Sequence, residues 1–189
     1  MRGAELVIAG TITELVGPPS SGRTGLLTMC VRELTRGGAL TAFVDTDDVF
    51  DPVGAARAGV ELSRVLWVRC GHRPDRALRA ADLLVRCPGF ALVALDAGAT
   101  TPRVPLATAY RLRLAVRRTG TALVVVARHR VLGPGAALAL ALSRRAVEWT
   151  GERPAWTRLA AMDTAMQILR APGGSAHGPG RRGLVRLGA

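Results

Sequence analysis

The sequence predicts an α/β fold in which helices flank a mainly parallel, twisted sheet. Three observations indicate it. Apolar strand-like runs alternate with segments of helical periodicity, the connections are short, and one strand–helix junction carries a glycine-rich loop, GPPSSGRT at Gly17–Thr24. With 189 residues, 49% of them hydrophobic, the chain is long enough to bury the core of one domain.

The first half of the chain is predicted to alternate between strands and helices. Two short strands joined at Gly10 precede the loop, and Leu26, Leu27 and Cys30 then recur at helical spacing. Asp51 before Pro52 is the pattern of a helix N-cap. The predicted strands are Glu5–Ala9, Thr11–Val16, Leu40–Asp45, Val65–Val68 and Phe90–Asp96, and the predicted helices are Gly25–Arg36, Pro52–Ala58 and Asp75–Cys87.

The second half is predicted to finish the sheet and to end in a tail. A helix over Ala107–Arg118 precedes a buried strand over Thr121–Ala127, and the alanine-rich segment Ala136–Leu142 favours a short helix. An antiparallel hairpin of Ala146–Thr150 and Thr164–Arg170 should follow. The organisation expected is a core domain over residues 1–172 and a basic, glycine-rich flexible tail over 173–189.

The loop GPPSSGRT matches the phosphate-binding pattern G-x-x-x-x-G-K-[ST], except that Arg23 stands where the pattern requires lysine. Such a loop binds phosphate because successive backbone N–H groups and a helix N-terminus converge on the anion. Arginine keeps the charge but is bulkier, so binding of ATP or ADP without rapid turnover stays possible. The nucleotide-binding candidates are Gly17, Ser20, Ser21, Gly22, Arg23 and Thr24.

Carboxylates follow two of the predicted strands. Asp45, Asp47 and Asp48 end the strand after the loop helix, and Asp96 ends the apolar run FALVALD. Because parallel strands present their carboxyl ends at one edge, these residues are candidates for a catalytic site. Asp47 is the candidate base, and Asp96 with Thr24 would hold magnesium if nucleotide binds.

The net charge of +12 comes entirely from arginine, since the sequence contains no lysine. No acidic residue lies between Asp96 and Glu148, which favours a surface that binds nucleic acid nonspecifically. Codon bias of a GC-rich genome and ordinary solvated helix faces are the alternative explanations. The candidate DNA-binding residues are Arg103, Arg111, Arg113, Arg117, Arg118, Arg130, Arg144, Arg145, Arg181 and Arg182.

The three cysteines, Cys30, Cys70 and Cys87, have no metal-ligand spacing and favour free thiols. The sequence shows no signal peptide and no apolar run of the length that a membrane helix needs. We therefore expect a cytoplasmic protein.

Four segments, in order, carry a family likeness: GTITELVGPPSSGRT, FVDTDDVFDPVGAARAGV, ALVALDAG and TALVVVARHR. Together they resemble the ATPase core of the RecA recombinases, from about Gly10 to Arg170. The resemblance implies a central twisted sheet, binding of ATP and magnesium, and polymerisation on single-stranded DNA.

The chain departs from the family pattern at several positions. Arg23 replaces the loop lysine, Asp47 stands where the family has the glutamate that activates water, and Arg128 falls at the glutamine that senses the terminal phosphate. Both DNA-binding loops look truncated, the first before Ala107 and the second at Val131–Gly135. The family's amino-terminal helix and carboxyl-terminal domain are not expected either. These losses argue against an autonomous strand-exchange enzyme.

A short RecA-like chain with these losses resembles the ImuA family of RecA-related accessory proteins. That resemblance implies a role in the SOS-induced mutasome of translesion synthesis, with an ImuB-like polymerase homologue, RecA and DNA as partners. Two alternatives stay open, a modulator that binds RecA and limits its filament, and a weak DNA-stimulated ATPase of recombination. Arg23 could also form a structural ion pair with Asp96 or Asp47 in place of a nucleotide.

Overall fold

The structure is a computed structural model that describes residues 3–99, 104–151, 158–172 and 180–188. These residues form one eight-stranded sheet in the order β3-β2-β4-β5-β1-β6-β7-β8. The strands are β1 (Ile12–Val16), β2 (Leu40–Asp45), β3 (Val65–Arg69), β4 (Phe90–Asp96), β5 (Ala122–Ala127), β6 (Leu138–Thr150), β7 (Arg158–Arg170) and β8 (Arg182–Gly188). The helices are α1 (Arg23–Arg36), α2 (Pro52–Arg57), α3 (Pro74–Leu84) and α4 (Leu106–Thr119).

The sheet is parallel from β3 through β6 and antiparallel at β7 and β8. Side chains of α1 and α2 pack on one face, and side chains of α3 and α4 pack on the other. The predicted α/β class, with helices on both faces and a C-terminal antiparallel hairpin, is therefore confirmed.

The local signals at the helix termini behave as expected. Asp51 caps α2, because its carboxylate accepts a hydrogen bond from the backbone N–H of Val53 at 3.0 Å. Gly120 ends α4 in the left-handed conformation that favours glycine, at φ 77°. Cys30, Cys70 and Cys87 form no disulfide among the described residues, and burial raises the pKa of the Cys30 thiol to about 12.

Two predicted elements near the ends of the core are wrong. Residues Gly3–Leu6 form a 3₁₀ helix in the region where a strand over Glu5–Ala9 was expected. The expected helix Ala136–Leu142 instead enters β6, which pairs with β1. Its sequence alternates alanine and leucine, so that Leu138, Leu140 and Leu142 all join the core with α1. This period-two pattern outweighs the helix propensity of alanine.

The prediction of a flexible tail is wrong for the second part of the segment 173–189. Residues Arg182–Gly188 form β8, which pairs antiparallel with β7. Val185 and Leu187 are 6% and 7% exposed, since they pack in the core with α1. Residues 173–179 of the proposed tail lie outside the described residues.

No helix among the described residues is long and apolar enough to cross a membrane.

Candidate functional site

The phosphate-type loop lies at the carboxyl edge of the parallel strands. It connects Val16, the last residue of β1, to α1. Asp45 and Asp96 end β2 and β4 at the same edge and are register partners. In the sheet β5 separates β1 from β4, so Arg128, which follows β5, lies between the loop and Asp96. The sequence-predicted loop, acids and sensor-position arginine thus meet at one edge.

The loop leaves the start of α1 open to an anion. Gly22 is the N-cap residue, in left-handed conformation at φ 93°, and no side chain caps this terminus. Arg23, Thr24 and Gly25 therefore begin a 14-residue helix whose first-turn N–H groups have no intrahelical partner. Such a terminus favours negative charge, and it fits the phosphate expected from the loop pattern.

The loop is packed beneath the C-terminal strands. A Cβ atom on Gly22 would lie 2.4 Å from Oγ1 of Thr164 on β7 and 2.9 Å from Cδ1 of Leu187 on β8. Oγ1 of Thr164 and Oγ of Ser21 are buried with no hydrogen-bond partner among the described residues. Because an unpaired buried hydroxyl is costly, Ser21 is a second feature that fits a polar ligand in the loop.

Arg23 lies in the electrostatic field of Asp96 and Arg128. Burial lowers the pKa of its guanidinium, Asp96 opposes that shift, and Arg128 adds to it. Among the described residues no carboxylate lies within ion-pair distance of Arg23, so the alternative of an ion pair with Asp96 or Asp47 is not formed at contact distance. The Arg23 charge therefore remains available to an anion in the loop.

Asp96 is buried beside this charge. It is 8% exposed, and its Oδ1 accepts a hydrogen bond from the Gly98 N–H at 2.9 Å. Burial raises the pKa of its carboxyl, while the Gly98 N–H and Arg23 oppose the shift. Ionisation of the Asp96 carboxyl therefore lowers the stability of the fold unless a cation or a further hydrogen-bond donor contacts it.

Replacing Asp96 with asparagine should stabilise the protein near neutral pH. Because the folded-state pKa of Asp96 lies above its unfolded value, the folded state binds the extra proton and stability falls as pH rises through that window. The difference in unfolding free energy between Asp96→Asn and wild type should therefore grow from about pH 4 upward and then level off. Urea unfolding from pH 4 to 8 measures it. A difference independent of pH would contradict the role of burial at Asp96.

Asp47, the candidate base, is already engaged. Its Oδ2 accepts a hydrogen bond from the Ala99 N–H at 2.6 Å, and its Oδ1 lies 3.5 Å from Nδ1 of His72. The carboxylate is packed so closely on Gly98 that a Cβ there would lie 2.6 Å from Oδ2. Asp47 therefore joins the segments that follow β2 and β4 at this edge.

The neighbouring acids also have structural partners. Asp45 accepts hydrogen bonds from the N–H groups of Val49 and Phe50 and from the Trp67 indole. Asp48 forms a bidentate ion pair with Arg69, both contacts at 2.9 Å. In the part of the chain that the structure describes, no three His, Cys, Asp or Glu side chains cluster as a metal site would require. Thr24 and Asp96 stay the candidates to hold magnesium beside a bound nucleotide.

The predicted DNA-binding arginines lie on more than one surface. Arg111, Arg117 and Arg118 are exposed on α4 with the half-buried Arg113, and Arg144 and Arg145 are exposed on the hairpin strand β6. Arg181 and Arg182 lie at the start of β8, where Arg182 and Arg145 line one shallow groove. Arg113 and Arg117 line another cavity together with Arg170, which the sequence did not single out. Arg103 lies outside the described residues.

Arg130 is tied to a buried carboxylate, although its side chain remains 33% exposed. Its Nε donates to Oε2 of Glu14 at 3.1 Å, and its Nη2 donates to the Gly133 carbonyl oxygen at 2.5 Å. Oε1 of Glu14 accepts the backbone N–H groups of Val131 and Leu132 at 2.7 and 2.8 Å. Glu14 is fully buried in β1 and fixes the segment after β5. Sequence reasoning missed this pair, and the acid inside the apolar strand ITELV is the signal that could have indicated it.

Comparison with known proteins places this geometry in a family. The model of the RecA N-terminal domain matches residues 3–111. RecA of Borrelia turicatae is 35% identical over 98 residues, which are 51% of this chain and 27% of that protein. RecA of Rhodopseudomonas palustris is 39% identical over 98 residues, 51% of this chain and 28% of that protein. The chain therefore aligns with only about a quarter of the length of these relatives.

A solved structure extends the likeness over the whole fold. The crystal structure of the RadB recombinase superposes with a TM-score of 0.65 at 19% identity, covering 95% of this chain and 88% of that chain. At 19% identity the match shows a shared fold and no more. The match of the family model over more than half of the sequence decides the family. The chain belongs to the family of the RecA N-terminal domain.

Proposed function

We propose that this protein is a RecA-like accessory or adaptor protein of SOS-induced DNA damage tolerance, which acts in the translesion-synthesis mutasome. It holds partner proteins and DNA, and its ATPase site is degenerate. One observation carries the proposal: Asp47 accepts a hydrogen bond from the Ala99 N–H, in a site where Arg23 replaces the lysine of the loop pattern. ImuB-like polymerase homologues and RecA are the proposed protein partners.

The position of Asp47 argues against efficient hydrolysis. A base that activates water needs a carboxylate oxygen aligned with the terminal phosphate, whereas Asp47 Oδ2 accepts the Ala99 N–H and its Oδ1 faces His72 Nδ1 at 3.5 Å. Aspartate is also one methylene shorter than the glutamate at the family's position. A displacement of about 1 Å can cost about 10²-fold in rate.

The loop itself still suits a nucleotide. The open start of α1 and the unpaired Ser21 hydroxyl fit a phosphate, and Arg23 adds a positive charge. A groove of about 660 Å³ next to Thr24, lined in part by Met29, Phe50 and Leu187, has room for a base. ATP or ADP bound here with magnesium would bring a polyphosphate charge that Arg23 and the loop N–H groups neutralise. We propose binding with slow or no turnover.

Replacing Arg23 with lysine should strengthen nucleotide binding without restoring RecA-like turnover. A lysine ammonium is a compact charge that can enter between phosphates, and Asp47 keeps its contact with Ala99. We expect an affinity gain of about tenfold for ADP with magnesium, equivalent to about 1.4 kcal/mol. Titration calorimetry measures the affinity, and phosphate release measures turnover. Arg36→Lys, an arginine replacement at the far end of the same helix, is the control. No gain in affinity would mean that the packed strands have closed the loop.

Three measurements on the full chain test the function. Purified RecA and an ImuB-like protein should each be captured by this chain, phosphate release with single-stranded DNA should stay far below that of RecA, and DNA affinity should fall with salt at a slope of about −0.7 per neutralised phosphate. Turnover comparable to RecA would favour the weak recombination ATPase instead. Capture of RecA alone would favour a filament modulator, and capture of neither would reject the adaptor.

A further inference from the structure

An apolar stripe lies on the solvent side of α4. Leu106, Tyr110 and Leu114 recur every four residues, which places them along one helix face. They are 55%, 43% and 67% exposed, whereas Ala109, Leu112, Ala115 and Val116 on the opposite face are buried. The sheet therefore uses one face of α4, and the second apolar face contributes little to the core. Contiguous exposed apolar side chains of this kind mark interaction sites.

Arginine residues border this stripe on both sides. Arg113 lines the cavity beside the start of β1, Arg111 and Arg118 line the cavity toward the end of α3, and Arg117 lines both. Arg111 approaches Asp82 at 3.6 Å. Within the described residues Arg113, Arg117 and Arg118 have no carboxylate at ion-pair distance. The stripe is thus an apolar ridge within a positive field.

Two other occupants fit this surface less well. A second copy of α4 would bring the same arginines against each other, and like charges at close distance repel. DNA would use the arginines, but it would leave the two leucines without an apolar partner, because backbone phosphates dominate such contacts. An amphipathic helix satisfies both features at once, with apolar residues on the ridge and carboxylates opposite the arginines.

From this pattern we infer that α4 docks an amphipathic helix of a partner protein, with an apolar stripe and acidic residues on its flanks. The inference rests on the proposed adaptor function and gives that function a binding face. Leu114, the most exposed of the three residues, is the central contact. Arg113 on one side, Arg111 and Arg118 on the other, and Arg117 next to Leu114 select acidic flanks and orient the bound helix.

A display library of 16-residue helical peptides, selected on the full-length protein, tests the inference. We expect the selected peptides to carry apolar residues at spacings of three and four, flanked by glutamate or aspartate. Leu114→Glu and Arg117→Glu should each lower the affinity for the tightest-binding peptide by about tenfold or more, as for central contacts of an interface. Leu114→Ser, which changes no charge, should also weaken it. Leu83→Glu is the matched control, because Leu83 is 59% exposed on α3 but lies off the ridge.

The inference is overturned if no acidic amphipathic class is selected, or if the selected peptides bind Leu114→Glu as well as wild type. It is also overturned if Leu114→Ser weakens the binding of a 20-nucleotide single-stranded DNA by the same factor as it weakens peptide binding, because the ridge would then contact DNA. Thermal melting by circular dichroism must match wild type in each variant, as expected for exposed side chains. Capture of RecA or an ImuB-like protein by Leu114→Glu would leave the adaptor function standing and move the partner to another face.

Discussion

Replacing Glu14 with alanine is expected to lower the free energy of unfolding by about 2–5 kcal/mol. Glu14 is fully buried and accepts hydrogen bonds from Arg130 and from the N–H groups of Val131 and Leu132. Its removal leaves the two backbone donors without an acceptor, which costs about 1–3 kcal/mol each, whereas the Arg130 guanidinium is 33% exposed and can turn to water. Urea unfolding measures the loss.

Two variants provide the comparison for Glu14. Glu14→Gln keeps an oxygen acceptor, so its free energy of unfolding should fall less than that of the alanine variant. Asp75→Ala removes the ion pair between Arg73 and Asp75, whose side chains are 54% and 66% exposed, and should cost little because solvent screens an exposed pair. If Glu14→Ala cost no more than Asp75→Ala, the segment after β5 would not depend on the buried carboxylate.

The second large effect is expected at Gly22. Gly22→Ala places a Cβ at φ 93°, 2.4 Å from Thr164 Oγ1 and 2.9 Å from Leu187 Cδ1. The left-handed backbone and the overpacking together should cost about 2–4 kcal/mol. The variant should also weaken nucleotide binding, because the loop must move away from β7 and β8. Urea unfolding and ADP titration measure the two effects.

Gly38 separates the two contributions. Its φ is 85°, close to that of Gly22, but a Cβ on Gly38 meets nothing within 4 Å. Gly38→Ala should therefore show only the backbone cost, about 1–2 kcal/mol. Adding Thr164→Ala to Gly22→Ala should recover part of the loss, because it removes the nearest atom. Equal losses in Gly22→Ala and Gly38→Ala would contradict close packing of the loop on the C-terminal strands.

Local sequence patterns predicted most of the parallel sheet. Period-two and continuous apolar runs located β1 to β5, and the helical spacing of Leu26, Leu27 and Cys30 located α1. The alternating segment ALALALS shows where this reasoning failed, because alanine propensity was preferred over a period of two. Its pairing with β1, more than 120 residues earlier in the chain, decided the outcome.

The sequence by itself determined the family, the phosphate-type loop and the placing of Asp45, Asp96 and Arg128 at one sheet edge, since these follow from local motifs and parallel order. Only the tertiary structure decided which of these side chains have partners within the protein and which remain available to a ligand. It paired Arg130 with Glu14, turned Asp47 toward Ala99, and laid Thr164 and Leu187 against Gly22. Such contacts join residues 52 to 165 positions apart, and no spacing rule encodes them, because packing of the whole sheet brings them together.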